Sequence, residues 1–361
     1  MTKATLKDAR PRGQNVIVRT DYNVPIKDGK IVSDLRIRAS LPTLEYLRKK
    51  GARRIIVLSH LGRPDGKRDK SLSLEPVAKR LGELMPGGKV SFIDDVSGPD
   101  VEEAVQKTPV GGILVMENLR FFPGEESNSA DFAREIVDCT GADLFVQDGF
   151  AVIHRAHAST AAITGELPSV MGLLVEREMT VLKKTMSHPE KPFTVMIGGA
   201  KVEDKAPLIQ KFLEKADRII VGGKIAADFS DGKISRELLG GDAGMKKIYI
   251  VEDFSDETKQ DIGTKSTEKI LEILGAAKTV LWNGTMGLTE EKPYDAGSRR
   301  IAEFLGGHTE ITSVVCGGDT TGFVESLEGD CQFSLVSTGG GASLSVLLDE
   351  ELPGYESLED I

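Results

Sequence analysis

Cysteine is scarce: Cys139, Cys316 and Cys331 are the only three in 361 residues, odd in number and without a C-x-x-C pair. That excludes a disulfide scaffold and points to a reducing compartment. No apolar run approaches the length of a membrane span, and the opening MTKATLKDAR lacks the apolar centre of a secretion signal. Positive charge is in deficit as well. A formal net charge of −10 argues against nucleic acid as a partner, because that needs a broad basic surface. The common nucleotide signatures are also missing: there is no G-x-x-x-x-G-K-[ST] loop, and no G-x-G-x-x-G with an acidic residue about 20 positions on. The HRA of IHRAH lacks the aspartate of a protein-kinase catalytic loop, and no G-x-S-x-G elbow occurs. The expectation is a cytoplasmic protein with no membrane partner.

The chain alternates. Gln14 to Thr20, Arg53 to Ser59, Lys89 to Ile93, Gly112 to Met116 and Asp143 to Gln147 are short runs rich in Val, Ile and Leu. Stretches of helical period separate them, such as Leu41 to Lys50, Leu74 to Met85 and Ser129 to Cys139. From Met171 one long helix is expected, with Met171, Val175, Met179, Leu182 and Met186 as a packing stripe, ending at the segment Ser187 to Pro192. Alternation resumes with Phe193 to Ile197, Asp217 to Val221, Lys247 to Val251, Thr279 to Trp282, Thr312 to Cys316 and Gln332 to Val336. The pattern predicts an α/β fold of two Rossmann-like three-layer domains with mostly parallel sheets, joined by a long helix and hinge. The expected boundaries are 1–169, a linking helix and hinge at 170–192, a second domain at 193–345, and a tail at 346–361 that returns to the first domain.

In open α/β sheets ligands gather beyond the carboxyl ends of the strands, so the residues after each strand are the candidates. In the first half these are Asp21 and Asn23 in TDYNVP, His60 and Arg63 in SHLGRP, Arg120 in ENLRF, and Arg155 in IHRAH. With parallel strands, Arg63, Arg120 and Arg155 converge on one edge, and Arg36, at the start of a helix, is placed to join them. Guanidiniums brought together repel one another unless an anion lies between them, and their planar fork suits phosphate and carboxylate oxygens. Any one of these arginines alone is better explained by solvent or a salt bridge. It is their recurrence after successive strands that suggests a small ligand carrying both groups.

In the second half, Phe333 to Leu348, FSLVSTGGGASLSVLL, reads as a short strand, three glycines and a helix. Gly339, Gly340 and Gly341 place backbone N–H groups at a helix N-terminus, a geometry suited to phosphate, although a tight strand-to-helix turn also explains them. In IGGAKVEDK, Lys201 and Lys205 stand four apart at an expected helix start, which would put both ammoniums on one face; two solvated lysines account for the pair as well. Gly222 and Gly223 follow another strand, and Gly317 and Gly318 precede Asp319 and Thr320. Asp319 is a candidate Mg²⁺ ligand or a helix N-cap.

The ordered set TDYNVP, SHLGRP, ENLRF, HRAHAST, IGGAKVEDK, WNGTMG, CGGDTT and STGGGAS resembles the phosphoglycerate kinase family over almost the whole chain. The resemblance implies reversible Mg²⁺-dependent transfer between 1,3-bisphosphoglycerate and ADP, giving 3-phosphoglycerate and ATP, in glycolysis and gluconeogenesis, with hinge closure and a monomeric state. It places the triose substrate on Asp21, Asn23, Arg36, His60, Arg63, Arg120 and Arg155. It places the nucleotide on Lys205, Asn283, Glu290, Gly317, Gly318, Asp319 and Thr320, with the metal on Asp319. Arg36, Lys201, Gly339, Gly340 and Gly341 would surround the phosphoryl group in flight.

The chain departs from the family pattern at QDGFAVIHR, Lys224, Thr285 and Ser345, and is shorter than typical members between Phe229 and Asp261, on the adenine side. A non-catalytic nucleotide-binding relative is the alternative that this shortening favours and the full set of charged residues opposes. A nicotinamide-dependent dehydrogenase lacks its fingerprint here.

Overall fold

The strands expected from apolar runs form because their side chains are covered on both faces. In the computed structural model, which describes residues 2–199, 202–203, 205–327, 329 and 331–361, the chain divides into two compact units. The first comprises Met1–Glu178 with Glu351–Ile361, and the second Met179–Glu350.

The first unit contains β1 (Asn15–Arg19), a hairpin of β2 (Ile26–Lys27) and β3 (Lys30–Ile31), β4 (Arg54–Leu58), β5 (Val90–Ile93), β6 (Gly112–Met116), β7 (Leu144–Gln147) and β8 (Ser169–Met171). Apart from the hairpin they form one sheet in the order β5-β6-β4-β1-β7-β8, every neighbouring pair parallel. Continuous apolar runs such as RIIVL and GILVM are what a doubly covered parallel sheet requires. The second unit contains β9 (Phe193–Ile197), β10 (Arg218–Val221), β11 (Ile248–Ile250), β12 (Thr279–Asn283), β13 (Thr312–Cys316) and β14 (Leu335–Val336), in the parallel order β11-β10-β9-β12-β13-β14. The α/β class and mostly parallel sheets are therefore as expected.

In each sheet the chain first fills one side of its opening strand and then crosses to the other. The switch falls between β1 and β7 in the first sheet and between β9 and β12 in the second. A crevice at the strands' carboxyl ends is expected at such points.

Helix ends obey local rules. Ser129 precedes the helix Ala130–Thr140 and its hydroxyl accepts the Phe132 N–H at 3.2 Å, while Gly141 closes it with φ 53°. Two expectations need correction. Met171 does not start the long helix: it ends β8, its N–H donating to Ala4 O at 2.9 Å, and the helix runs Leu173–Ser187. The stripe Val175, Met179, Leu182 and Met186 is buried. Likewise the helix after β9 starts at Ala206, with Pro207 in its first turn, so Lys205 precedes the helix.

Within 229–261 the chain forms the end of the helix Gly223–Ser230, a 3₁₀ turn at Arg236–Leu239, the helix Gly241–Met245 and β11. An ion pair between Lys259 and Asp231 ties the two ends of this stretch together. No helix among the described residues is long and apolar enough to cross a membrane. The segment Glu351–Ile361 lies on the first unit, where the Gly354 N–H donates to Ile153 O at 2.8 Å and the Ala4 N–H to Glu359 O at 2.8 Å.

Candidate active site

After β1 the chain turns sharply and places Asp21 at the carboxyl edge of the first sheet. One oxygen of Asp21 accepts the Asn23 N–H at 3.0 Å, and the other pairs with the Arg36 guanidinium at the start of the helix Leu35–Lys49. Asn23 Oδ1 accepts the Gly62 N–H at 2.9 Å, and Gly62 O accepts Nη1 of Arg120 at 2.7 Å. Gly62 thus joins the loops after β1, β4 and β6. It sits at φ 64°, and a Cβ there would lie 2.7 Å from the tip of Leu72, which favours glycine. Asn118 fixes the third loop: its amide donates to Leu61 O at 2.6 Å and Leu72 O at 3.0 Å, and its Oδ1 accepts the Arg120 N–H at 3.1 Å.

His60 lies at the centre and is buried. Burial holds its pKa well below the ordinary imidazole value, and the charges of Arg19, Arg120, Arg36 and Arg155 push the same way. Three of the substrate arginines expected from sequence, Arg36, Arg120 and Arg155, thus act on one ring. Arg120 is lowered by burial and by its neighbour Arg155, with Glu126, 3.1 Å from its Nε, pulling back. Arg155 Nε donates to His154 Nε2 at 3.3 Å. Arg63 is exposed and has no hydrogen bond or ion pair among the described residues.

Beneath this edge lies a web that sequence reasoning missed. Arg19, 1% exposed, donates through Nε to Ser159 Oγ at 2.7 Å and through Nη2 to His60 Nδ1 at 3.3 Å; Glu125 stands 3.7 Å from Nη2. Glu125 also accepts the Ser159 hydroxyl at 2.7 Å and faces His157 Nδ1 at 3.7 Å. Burial tends to raise the Glu125 pKa, but His157, Arg19 and Ser159 together hold it below the ordinary value. The signal was available: an arginine ending the otherwise apolar run NVIVR must carry its own partners inside.

The second sheet builds its edge from backbone. Gly198 and Gly284 meet at the switch point, where a Cβ on Gly284 would lie 2.1 Å from Gly198 O. The Gly284 N–H donates to Thr320 Oγ1 at 2.7 Å, and Thr321 Oγ1 donates to Ser337 O at 3.1 Å, which links the loops after β12, β13 and β14. Lys205 reaches across the switch to donate to Asn283 Oδ1; Asn283 is fully buried and its Nδ2 has no partner among the described residues.

Asp319 is exposed in the first turn of the helix Gly318–Glu325, whose N-cap is Gly317. The alternative N-cap role for Asp319 therefore falls away. Gly340 precedes the helix Gly341–Leu348, and the Gly339 N–H donates to Ser337 Oγ at 3.2 Å. Glu290 is exposed. Lys201 lies outside the described residues. Among the described residues no group of three or more His, Cys, Asp or Glu side chains could hold an ion.

An arginine edge on one parallel sheet and a glycine edge on another define a two-unit α/β protein that handles phosphorylated small molecules. The sequence model of the phosphoglycerate kinase family matches residues 6–239 and 231–350, and the chain belongs to that family. The two matched segments overlap inside the stretch read above as shortened.

Two solved structures agree. The phosphoglycerate kinase from Coxiella burnetii is 29% identical, with TM-score 0.81 over 99% of this chain and 98% of that one. The phosphoglycerate kinase from Pyrococcus horikoshii OT3 is 28% identical, with TM-score 0.87 over 98% of each chain. Membership makes the chain a kinase of glycolysis that uses a nucleotide and a carboxyl acceptor.

Proposed function

We propose that the chain transfers a phosphoryl group reversibly between 1,3-bisphosphoglycerate and ADP, giving 3-phosphoglycerate and ATP. The triose ligand is assigned to Asp21, Asn23, Arg36, His60, Arg63, Arg120 and Arg155. The nucleotide is assigned to Lys205, Asn283, Glu290 and Gly317 to Thr320. The observation that carries this reading is the convergence of Arg36, Arg120 and Arg155 on the buried His60. Cations gathered around one buried ring call for an anion.

Phosphoryl transfer proceeds through a loose transition state and is served by positioning and charge stabilisation, which suits arginines, a lysine and backbone N–H groups. The carboxylate of 3-phosphoglycerate is already ionised at neutral pH, so no general base is assigned. Arg36 stands to neutralise charge on the group in transfer, with Lys201 in the same role; Gly340 and Gly341 present N–H groups to it.

Mg²⁺ bound with the nucleotide would screen the phosphate charge. A single exposed carboxylate, Asp319, at a glycine-lined edge fits an ion held mainly by phosphates and water. A monomer acting in the cytoplasm completes the proposal, supported by the acidic charge balance and the few cysteines.

The test is a coupled assay of ATP-dependent phosphorylation of 3-phosphoglycerate with and without Mg²⁺. Metal-dependent turnover is expected. Nucleotide binding without turnover would favour the non-catalytic alternative.

A further inference from the structure

Arg19 belongs to none of the ligand contacts assigned above, yet it touches the residue at their centre. A guanidinium has five N–H donors and no acceptor. Its Nη2 lies 3.3 Å from Nδ1 of His60, so that nitrogen must present its lone pair, and the ring proton belongs on Nε2. The competing partner for Nδ1 is Asp21, whose carboxylate stands farther off at 3.9 Å and is already engaged by Arg36 and by the Asn23 N–H.

We infer that Arg19 is a positioning residue which locks His60 as the Nε2–H tautomer, so that the ring offers the triose ligand a neutral N–H donor. This deepens the proposed function and rests on it for the identity of the ligand.

Arg19 is itself immobilised. Its Nε donates to Ser159 Oγ at 2.7 Å, Nη1 donates to Thr20 O, and Glu125, fully buried, balances its charge. The groups facing His60 are Arg19, Arg36, Arg120, Arg155 and Asp21. Four of these five are cations, which disfavour an imidazolium. A neutral donor in an arginine cluster binds an anionic oxygen without adding a further charge to be held apart when the ligand leaves.

Long-range ¹H–¹⁵N NMR on the ligand-free protein reads the tautomer directly, with His60→Gln assigning the ring among the five histidines. The expected result is a pyridine-like Nδ1 and a pyrrole-like Nε2, unchanged from pH 5 to pH 8. A protonated Nδ1 in the wild type, in either the neutral or the charged ring, would overturn the inference.

Arg19→Met should move the proton toward Nδ1 and raise KM for 3-phosphoglycerate at least tenfold, with KM for ATP within twofold; Arg19→Lys should restore part of both. An Arg19→Met spectrum identical to the wild type would also overturn it. If that variant does not fold, because Glu125 loses its counter-charge, Arg19→Met/Glu125→Gln replaces it. The wild-type spectrum involves no ligand, so it stands or falls separately from the assay of turnover.

Discussion

The two sheet edges are built by opposite means, one from charged side chains and one from glycine backbone. In the first unit the edge is made by long side chains, and each is fixed by a partner beneath it: Arg36 by Asp21, Arg120 by Gly62 O and Glu126, Arg19 by Glu125 and Ser159. The second edge is built largely from glycine backbone at helix starts, and the neutral side chains Asn283, Thr320 and Ser337 surround it, with Lys205 bonded to Asn283 and Asp319 exposed in a first helical turn. The difference teaches where each edge is fragile. A side-chain edge tolerates backbone adjustment but depends on buried charge. A backbone edge is indifferent to charge but cannot accept a Cβ.

The largest effect should come from breaking the backbone edge. Gly284→Ala would set a Cβ 2.1 Å from Gly198 O and 2.3 Å from Gly198 C, at φ 99°. Neither atom belongs to a flexible side chain. Strain and overpacking together should cost about 5 kcal/mol, seen as a lowered urea midpoint or loss of soluble protein. An unchanged midpoint would mean that the β9 and β12 ends can part freely.

Next is the side-chain edge. Arg36 is partly exposed and paired with Asp21. Arg36→Ala should lower kcat by 10²- to 10³-fold, about 3 to 4 kcal/mol of transition-state stabilisation, with little change in the urea midpoint. Near-normal turnover would remove Arg36 from the catalytic group and leave it a partner of Asp21 alone.

How much of this could be read beforehand follows the same division. Most strands, their parallel sense and the glycines after them were legible, because apolar runs and glycine pairs are local signals; β8, only three residues long, was not. Topology led to an expected convergence of Arg63, Arg120 and Arg155 with Arg36 beside them; Arg36, Arg120 and Arg155 act on His60, whereas Arg63 is exposed. The web of Arg19, Glu125, Ser159 and His157 was not legible, since Arg19 and Ser159 are 140 residues apart and only the fold pairs them. Asp28–Gly29, with φ 50° and 70°, signals the β2-β3 hairpin, and it was overlooked because each strand is two residues long. Lys205 was placed inside a helix by spacing, whereas Pro207 fixes the first turn at Ala206.

The first unit also carries a buried carboxyl whose titration reads its stability. Asp148 ends the β7 side of the first switch point; it is fully buried, and its Oδ1 accepts the Leu174 N–H at 3.0 Å. Burial raises its pKa to about 7 from an ordinary 3.8. Between these values the folded chain holds a proton that the unfolded chain releases. This contribution to stability is therefore complete below pH 4 and lost as pH rises through 7. Asp148→Asn removes the titration. Relative to that variant, the wild type should lose roughly 2 to 3 kcal/mol between pH 5 and pH 8 in urea unfolding. Parallel curves for the two proteins would place the titration elsewhere.

The smallest expected effect tests the one charged side chain among the described residues that anchors on the backbone edge. Lys205 donates to Asn283 Oδ1, so it is held over the second switch point before any ligand arrives, and Asn283 Nδ2 is thereby turned toward Gly317, where a Cβ would approach it to 3.2 Å. Lys205→Met keeps the stem and removes one charge-assisted bond to a phosphate, about 1.5 to 2 kcal/mol. The expected result is a rise of ten- to thirtyfold in KM for ATP, with KM for 3-phosphoglycerate within twofold. A rise in both by the same factor would mean that Lys205 acts on the fold of its sheet edge. In that event the glycine N–H groups alone would hold the nucleotide phosphates, and the contrast between the two edges would be sharper than drawn above.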